Sequence, residues 1–498
     1  MDRPLARRIV LTALAVGIAT EVALDGPAPG LNVLLLTALF LAAAWILRRR
    51  GRAPDPLDAW LPISALVLAA LVAVRADPFV AFLDMAGAAA FSGASVAAFS
   101  GLAVTRRSAS VVMALGAWVM REALAGAVGA LRKARPASGE GPRRPPTWFG
   151  PVGRGLVIAI PLVMIFAVLF ASADPIFRRG IDQLLGFDID LGDLPGRVLF
   201  ALGVAWLVGG LLTVAAAGLP AMERASLGAA ANATPLVRER VLGVTEALIV
   251  LGGVVLVFGL FVGLQLAYLF GGLDTLSAAG MTYSDYARRG YFELVAAAGL
   301  AGGTLVALDY HVMRRPGAYL ALTVGLVGLT VVVLASAALR LQLYQEAYGW
   351  TELRVYVAVS IVAMAVTLVT LAALLATDRV RWIGHAMAVV GLASLIALNA
   401  IAPAALVAEH NVARLMGPDA IPPDAYDHLD IDYLRVLPDD AIPALVAALP
   451  SLPEREAERL RVDLIARRTQ LAQDPGLTSP FAFNLGRERA KAALEALP

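Results

Sequence analysis

The chain has 498 residues, of which 59% are hydrophobic and 16% charged, and its formal net charge is only +2. A mean hydropathy of +0.74 is too high for a soluble core of this length. The absence of cysteine excludes disulfides, thiolate nucleophiles and cysteine-based metal sites. The four histidines stand at no metal-ligand spacing, and no phosphate-binding G-x-x-x-x-G-K-[ST] motif occurs. We therefore predict no metal or other cofactor.

Long apolar runs alternate with short charged joints from the N-terminus to about residue 407. A run of about 20 apolar residues crosses the hydrocarbon core as a helix, because no backbone group can stay unpaired there. The sequence therefore predicts an all-α, polytopic transmembrane bundle of about 11 spans. The predicted spans are residues 8–24, 31–47, 59–74, 79–104, 153–173, 198–219, 241–270, 293–313, 318–339, 355–376 and 383–407.

The joints between these spans alternate in charge. One set of alternate joints carries roughly 22 Lys or Arg and the other roughly 8, which places the first set in the cytoplasm. The N-terminus is then cytoplasmic and, after an odd number of crossings, the C-terminus is extracytoplasmic. We predict a multi-pass protein of the plasma (inner) membrane, surrounded by the lipid bilayer.

One further segment could change the number of crossings from odd to even. Residues 108–131 are apolar enough for a twelfth span but carry Arg121 and Glu122 at their centre. A helix in the plane of the cytoplasmic surface avoids burying these charges. With that interpretation, residues 1–107 form a four-span segment and residues 108–152 form the in-plane helix and a Pro- and Arg-rich loop. Residues 153–407 then form a seven-span core.

The composition changes after residue 407, where charged residues and prolines become frequent. Residues 441–449, 454–471 and 487–497 are predicted helices, the first of them preceded by Asp439 and Asp440. Residues 408–498 are therefore predicted to form a small helical extracytoplasmic domain. They are too few to bury a large core, so we expect them to pack on the membrane domain or on a partner.

Polar residues inside a bilayer are expensive, and each one suggests a functional site. Asp84, Gln265 and Asn399 stand within predicted spans. Asp84 has two interpretations: a buried pair with an arginine such as Arg75, or a proton- or cation-coupled role. We predict an intramembrane polar site that contains these three residues.

A second candidate site lies at the outer joints, where tyrosines, arginines and carboxylates concentrate. Tyr344 and Tyr348, four residues apart, are predicted to share a helix face, and Glu352 and Tyr356 repeat that spacing. The alternatives are an ordinary interfacial belt of aromatic and charged residues, or ion pairs that only hold the helices together. The predicted outer-face cluster comprises Asp174, Tyr283, Tyr286, Arg289, Glu293, Tyr344, Tyr348, Glu352 and Arg354.

The joints also contain longer sequence motifs. These are Ala-Asp-Pro-x-Phe at 173–177, the stretch from Tyr283 to Leu294, and Ala-Tyr-Gly-Trp-Thr-Glu-Leu-Arg at 347–354. The tail adds Asn-Val-Ala-Arg at 411–414, Leu-Asp-Ile-Asp-Tyr at 429–433 and Asp-Ala-Ile-Pro at 440–443. From residue 153 onward the chain resembles bacterial membrane proteins described as domain of unknown function 4173, within the wider 4153 group. The resemblance implies a multi-spanning plasma-membrane protein and no particular reaction.

Three functions remain open from the sequence. The first is an extracytoplasmic binding or sensing protein, or an envelope-associated scaffold, whose outer face recognises an envelope component or a partner protein. The second is a secondary transporter or channel for a small solute or ion, with the intramembrane polar residues along the path. The third is a membrane enzyme that acts on a lipid-linked substrate, although no catalytic motif supports it. No feature of the sequence indicates nucleic-acid binding.

Overall fold

A computed structural model describes residues 3–24, 27–48, 54–105, 194–217, 244–270, 291–312, 315–416 and 430–497. The described residues are almost entirely helical and contain no β-strand. The predicted span at 153–173 and the segment at 108–131 lie outside them. The all-helical class is therefore confirmed, and the number of spans stays a prediction.

Eleven helices precede the tail in the described ranges. They are α1 Arg3–Leu24, α2 Leu31–Leu47, α3 Trp60–Leu71, α4 Pro78–Phe99, α5 Leu194–Ala217, α6 Val244–Phe270, α7 Tyr291–His311, α8 Gly317–Tyr348, α9 Glu352–Ala376, α10 Ile383–Ile401 and α11 Pro403–Met416. Four stretches are long and apolar enough to cross a membrane: Pro78–Phe99, Gly317–Glu346, Glu352–Ala376 and Val380–Ile401. Shorter apolar helices accompany them, among them Leu31–Leu47.

Two predicted spans end earlier in the structure than apolarity suggested. The last was predicted to reach residue 407, but α10 ends at Ile401 and Ala402 adopts a left-handed backbone conformation with φ of 52°. Pro403 then begins α11, since its missing N–H is not needed in a first helical turn. The span predicted to reach residue 104 also ends early, at Phe99, and Gly101 follows with φ of 90°.

Helix α1 packs against α5 through small residues. Ala13 and Gly17 are buried on α1, four residues apart, and Gly17 lies against Ala201 and Ala205 of α5. Small residues at this spacing allow two helix backbones to approach closely, as in membrane helix pairs. At one end of this pair Glu21 accepts a 2.5 Å hydrogen bond from Arg197, which fixes the relative register of the two helices.

The tail helices pack on the ends of several of the preceding helices. They are α12 Ile431–Leu434, α13 Ile442–Ala448, α14 Glu454–Gln473, α15 Pro475–Thr478 and α16 Leu485–Glu495. The three helices predicted for this region therefore form, with their ends shifted by a few residues. Buried leucines of α13, α14 and α16 share one apolar cluster with Val355 of α9 and Ala404 and Val407 of α11. We call residues 430–497 the docked tail.

Contacts at the other helix ends define the opposite side of the bundle. The ring of Trp60, at the start of α3, lies 4.9 Å from that of His385, at the start of α10. Arg315, before α8, pairs at 3.2 Å with Asp378, after α9. The helix ends therefore form two layers, one beneath the docked tail and one away from it.

Candidate functional site at the tail interface

The docked tail caps the exposed end of α3. The backbone N–H of Leu485 donates to the carbonyl of Ala73 at 2.7 Å, and that of Gly486 donates to Val74 at 3.1 Å. The side-chain amide of Asn484 donates to the carbonyls of Val72 and Arg75, at 2.9 and 2.7 Å. These carbonyls belong to the turn that follows the end of α3 at Leu71, so the tail satisfies groups that would otherwise need water.

A second contact lies at the joint between α1 and α2. Ala28 donates its N–H to the carbonyl of Gly476 at 2.8 Å, and Leu31 donates to Phe483 at 2.9 Å. Between them, a Cβ on Gly30 would meet the carbonyl oxygen of Phe483 at 2.4 Å, so this position admits only glycine. The guanidinium of Arg487, whose pKa burial lowers, donates to the carbonyl of Pro29.

Asp440 is the charged centre of the interface. Its Oδ2 accepts hydrogen bonds from the backbone N–H groups of Ala76 and Asp77, at 2.7 and 3.0 Å. Its Oδ1 lies 3.9 Å from the guanidinium of Arg75. Burial raises the pKa of the Asp440 carboxyl, while the two N–H groups and Arg75 oppose that shift. The neighbouring Asp439 pairs with Arg467 of α14 at 2.7 Å.

Asp77 connects the start of α4 to α9. Its Oδ1 accepts from the backbone N–H groups of Phe79 and Val80, the usual N-cap arrangement, with Pro78 in the first turn. Its Oδ2 accepts from the hydroxyl of Tyr356 at 2.6 Å. One buried carboxylate thus caps one helix and holds a second helix against it.

Glu352 brings a third carboxylate to the same place. Its Oε1 lies 3.5 Å from the hydroxyl of Tyr356, and its backbone N–H donates to the hydroxyl of Tyr433 in the tail at 3.0 Å. We call Asp77, Glu352 and Asp440 the carboxylate cluster. The described charge partner of this cluster is Arg75, which pairs with Asp440. No group of three or more histidine or acidic residues in the described ranges has metal-binding geometry.

The joint between α8 and α9 forms the third contact. Gly349 has φ of 79°, and the side chain of Asn411 from α11 bonds reciprocally with Trp350, accepting from its N–H at 2.7 Å and donating to its carbonyl at 2.9 Å. Arg354 donates to the carbonyl of Gly349 and lies 4.1 Å over the ring of Tyr344. The arginine therefore stabilises its own joint.

The structure gathers part of the predicted outer-face cluster. The rings of Tyr344 and Tyr348 lie 5.0 Å apart, as their spacing predicts. Glu352 joins the carboxylate cluster, whereas Arg354 contacts its own joint. Asp174, Tyr283, Tyr286 and Arg289 lie outside the described residues, and Glu293 lies in α7 with its side chain undescribed.

Inside the bundle, Asp84 of α4 pairs with Asn399 of α10. The amide nitrogen of Asn399 donates to both carboxylate oxygens, at 3.1 and 2.9 Å. Arg75 does not pair with Asp84, so that interpretation was wrong; its Nε donates to the backbone carbonyl of Asn399 at 2.7 Å. Gln265 lies in α6, and its side chain is outside the described set.

Several residues of this interface were missed from the sequence as site residues. Asp77 is recognisable only as an acid before a helix-starting proline, and Asp440 only as an acid before a helix. Tyr433 and Asp440 belong to the tail motifs, and membership of these motifs was the one feature of the sequence that could have marked them as site residues. Asn484 carried no signal, because an asparagine before a helix is usually just a cap.

The fold and this interface define a class of all-helical protein, with helices apolar enough to cross a membrane and a helical tail docked on their ends. A family model described as Domain of unknown function (DUF4153) matches residues 63–448, and the chain belongs to this family. The resemblance to the wider 4153 group is therefore confirmed. No curated protein and no solved structure matches the chain. The match includes Asp77, Asp84, Glu352, Asn399 and Asp440, and ends before Asn484.

Proposed function

We propose that this protein is a multi-pass plasma-membrane protein whose tail-bearing face lies outside the cytoplasm and binds or senses an envelope component or partner protein. The observation that carries the proposal is a chain of polar contacts from the tail into the bundle. It runs from Asp440 to Arg75, from Arg75 to the carbonyl of Asn399, and from the Asn399 amide to Asp84. A ligand that shifts the tail would act on each of these contacts in turn.

Charge supports the orientation. Joints away from the tail carry Arg48, Arg315, Arg379 and Arg381, whereas the joints under the tail carry few basic residues. The Glu21–Arg197 pair joins the end of α1 to the start of α5 in the tail-side layer. The start of α5 therefore lies on the same side as the end of α1, as the eleven-span prediction expects. The narrower family assignment, domain of unknown function 4173, is part of the same proposal.

A reporter fused after Pro498 tests the orientation. We expect an enzyme that is active only outside the cytoplasm to be active there, and a fluorescent protein that matures only in the cytoplasm to stay dark. The basic joints away from the tail give the physical reason, because they resist translocation. Bright fluorescence at the C-terminus would place the carboxylate cluster inside the cell and rule out an outer-face function.

A substitution at Glu352 tests whether this residue serves ligand binding or only holds the helices together. The substitution Glu352→Gln keeps the shape of the side chain but removes its charge. When this variant is expressed in a strain that lacks the gene, we expect normal protein levels but no rescue of the deletion phenotype. Glu346→Gln is the matched control, because Glu346 is an exposed acid in the last turn of α8, near the same joint, and its described side-chain contact is with Gln342. Full rescue by Glu352→Gln, or loss of folded protein, would instead assign Glu352 to holding the helices together.

Transport of a small ion or solute is the second candidate, and the buried Asp84–Asn399 pair favours it. Burying a polar pair within a span costs free energy, so such a pair is a candidate site for an ion or a proton. A membrane enzyme has less support, because the described carboxylates near the tail are engaged in caps and helix contacts.

A further inference from the structure

The Asp84–Asn399 pair has more acceptors than donors. Asp84 has no exposed surface, and its only hydrogen-bond donor among the described residues is the side-chain amide of Asn399. The Oδ1 of Asn399 is also buried and has no hydrogen-bond partner in the described structure. The NH₂ group of Asn399 is therefore shared by three oxygen atoms, the two of Asp84 and the backbone carbonyl of Leu395 at 3.0 Å, while the Oδ1 of Asn399 has no donor.

An anionic Asp84 would be poorly stabilised here. A buried charge needs an opposite charge or several donors, and inside a bilayer the cost of lacking them is large. Arg75 directs its Nε to the Asn399 carbonyl and faces Asp440, not Asp84. Asp77, two turns earlier on α4, adds negative charge, and the Tyr356 hydroxyl of α9 is committed to Asp77. Among the described groups, none neutralises Asp84.

We propose that Asp84 and Asn399 form a proton-binding site within the membrane domain, linked to the docked tail through Arg75. In the proton-loaded state the hydrogen on an Asp84 oxygen is donated to the Oδ1 of Asn399 after a rotation of the amide. When the proton leaves, the amide NH₂ returns to the two carboxylate oxygens, the arrangement observed here. The vacant Oδ1 is the acceptor that the loaded state uses. The proton site rests on the geometry of the Asp84–Asn399 pair, whereas its link to the tail rests on the same contacts as the outer-face function proposed above.

A groove lies beside the Asp84–Asn399 pair. It has a volume of about 360 Å³ and lies between α4, α9 and α10. Its lining is mostly apolar and includes Leu83 and Leu398, the chain neighbours of Asp84 and Asn399, and its hydroxyl-bearing residues are Tyr356, Ser360 and Ser394. A membrane-soluble reagent that enters this groove therefore reaches the chain neighbours of Asp84 and Asn399, although neither of these two residues lines it.

Infrared difference spectroscopy of the full-length protein in lipid tests the proposal. We expect a pH titration to show the carbonyl stretch of a protonated carboxyl that is absent in Asp84→Asn and shifted in frequency in Asp84→Glu. Dicyclohexylcarbodiimide, which adds to protonated carboxyls, should modify Asp84, with modification decreasing about tenfold for each pH unit above the midpoint. A water-soluble carbodiimide should not modify it. No Asp84-dependent carbonyl band at any pH would overturn the proposal.

Two further experiments test which ion the site binds and whether the site is linked to the tail. If sodium chloride suppresses the modification and potassium chloride does not, the site binds Na⁺ and the proton assignment is wrong. Asp440→Asn removes the negative charge that pairs with Arg75, the residue between the tail and the Asp84–Asn399 pair. With less negative charge nearby, Asp84 should lose its proton more readily, so the midpoint of its titration should move to lower pH. Asp432→Asn is the matched control, since Asp432 is an exposed tail acid paired with Arg435 and Arg459. Equal midpoints in both variants would refute the link to the tail.

Discussion

Asp440→Ala should release the docked tail from the helix ends. The change leaves two buried backbone N–H groups, of Ala76 and Asp77, without an acceptor and leaves Arg75 without its charge partner. Each hydrogen bond to a charged group that is lost in this way costs about 1.5–3 kcal/mol, so losing two costs about 3 kcal/mol or more. We therefore expect a large increase in the population of molecules with an undocked tail.

The absence of native cysteine makes this release measurable. A single cysteine at Ala482, a residue of the docked tail that is 1% exposed, should react slowly with a maleimide in the parent chain. With Asp440→Ala, about 3 kcal/mol corresponds to labelling faster by roughly two orders of magnitude. Asp432→Ala, which removes an exposed acid from the same tail, should leave the rate unchanged. An unchanged rate in Asp440→Ala would show that the other backbone contacts and the apolar packing of the tail hold it without Asp440.

Gly17→Ala should separate α1 from α5. A Cβ at this position would lie 2.4 Å from the carbonyl oxygen of Ala201 and 2.7 Å from the Cβ of Ala205. Since the nearest atom is backbone, no side-chain rotation relieves the clash, and overpacking of this kind costs about 1–3 kcal/mol. We expect a lower apparent melting temperature in detergent and loss of monodisperse protein on heating.

Gly203→Ala in α5 is the matched control for this prediction. A Cβ on Gly203 would meet nothing within 4 Å. Replacing a glycine inside a helix by alanine gains about 0.5–1 kcal/mol when the space is open, so this variant should be as stable as the parent or more stable. The two substitutions are chemically identical and should have opposite signs. Equal stabilities would mean that α1 and α5 are not packed as closely as described.

Helix positions were predictable where the apolar run itself ends. The prediction for α2 agrees with Leu31–Leu47 at both ends, because Pro and Gly precede the run and arginines follow it. The prediction failed at α10, where apolar residues continue past the break at Ala402. Mean hydropathy cannot detect a change in backbone direction between two apolar helices, so the boundary depended on Pro403 and on the packing of α11 against the tail.

The candidate site was only partly predictable, for a similar reason. Glu352 and Asn399 were recognised because a polar residue in or beside an apolar helix is conspicuous. Asp440 was assigned only to the first turn of its own helix, yet its carboxylate bonds the backbone of residues 363 and 364 positions earlier. Contacts between residues so far apart leave no periodic pattern in the sequence, because neither an aspartate nor a backbone N–H group is unusual by itself.

The sequence by itself determined the all-helical class, the helices of the tail and the family, since apolarity, helical spacing and motif order are local properties of the chain. Only the tertiary structure decided which polar groups meet. It paired Asp84 with Asn399 in place of Arg75, placed Arg75 between Asn399 and Asp440, and brought the tail onto the ends of α2, α3 and α9. Buried polar groups need partners, and the partner is chosen by which helix ends lie within hydrogen-bond distance after packing.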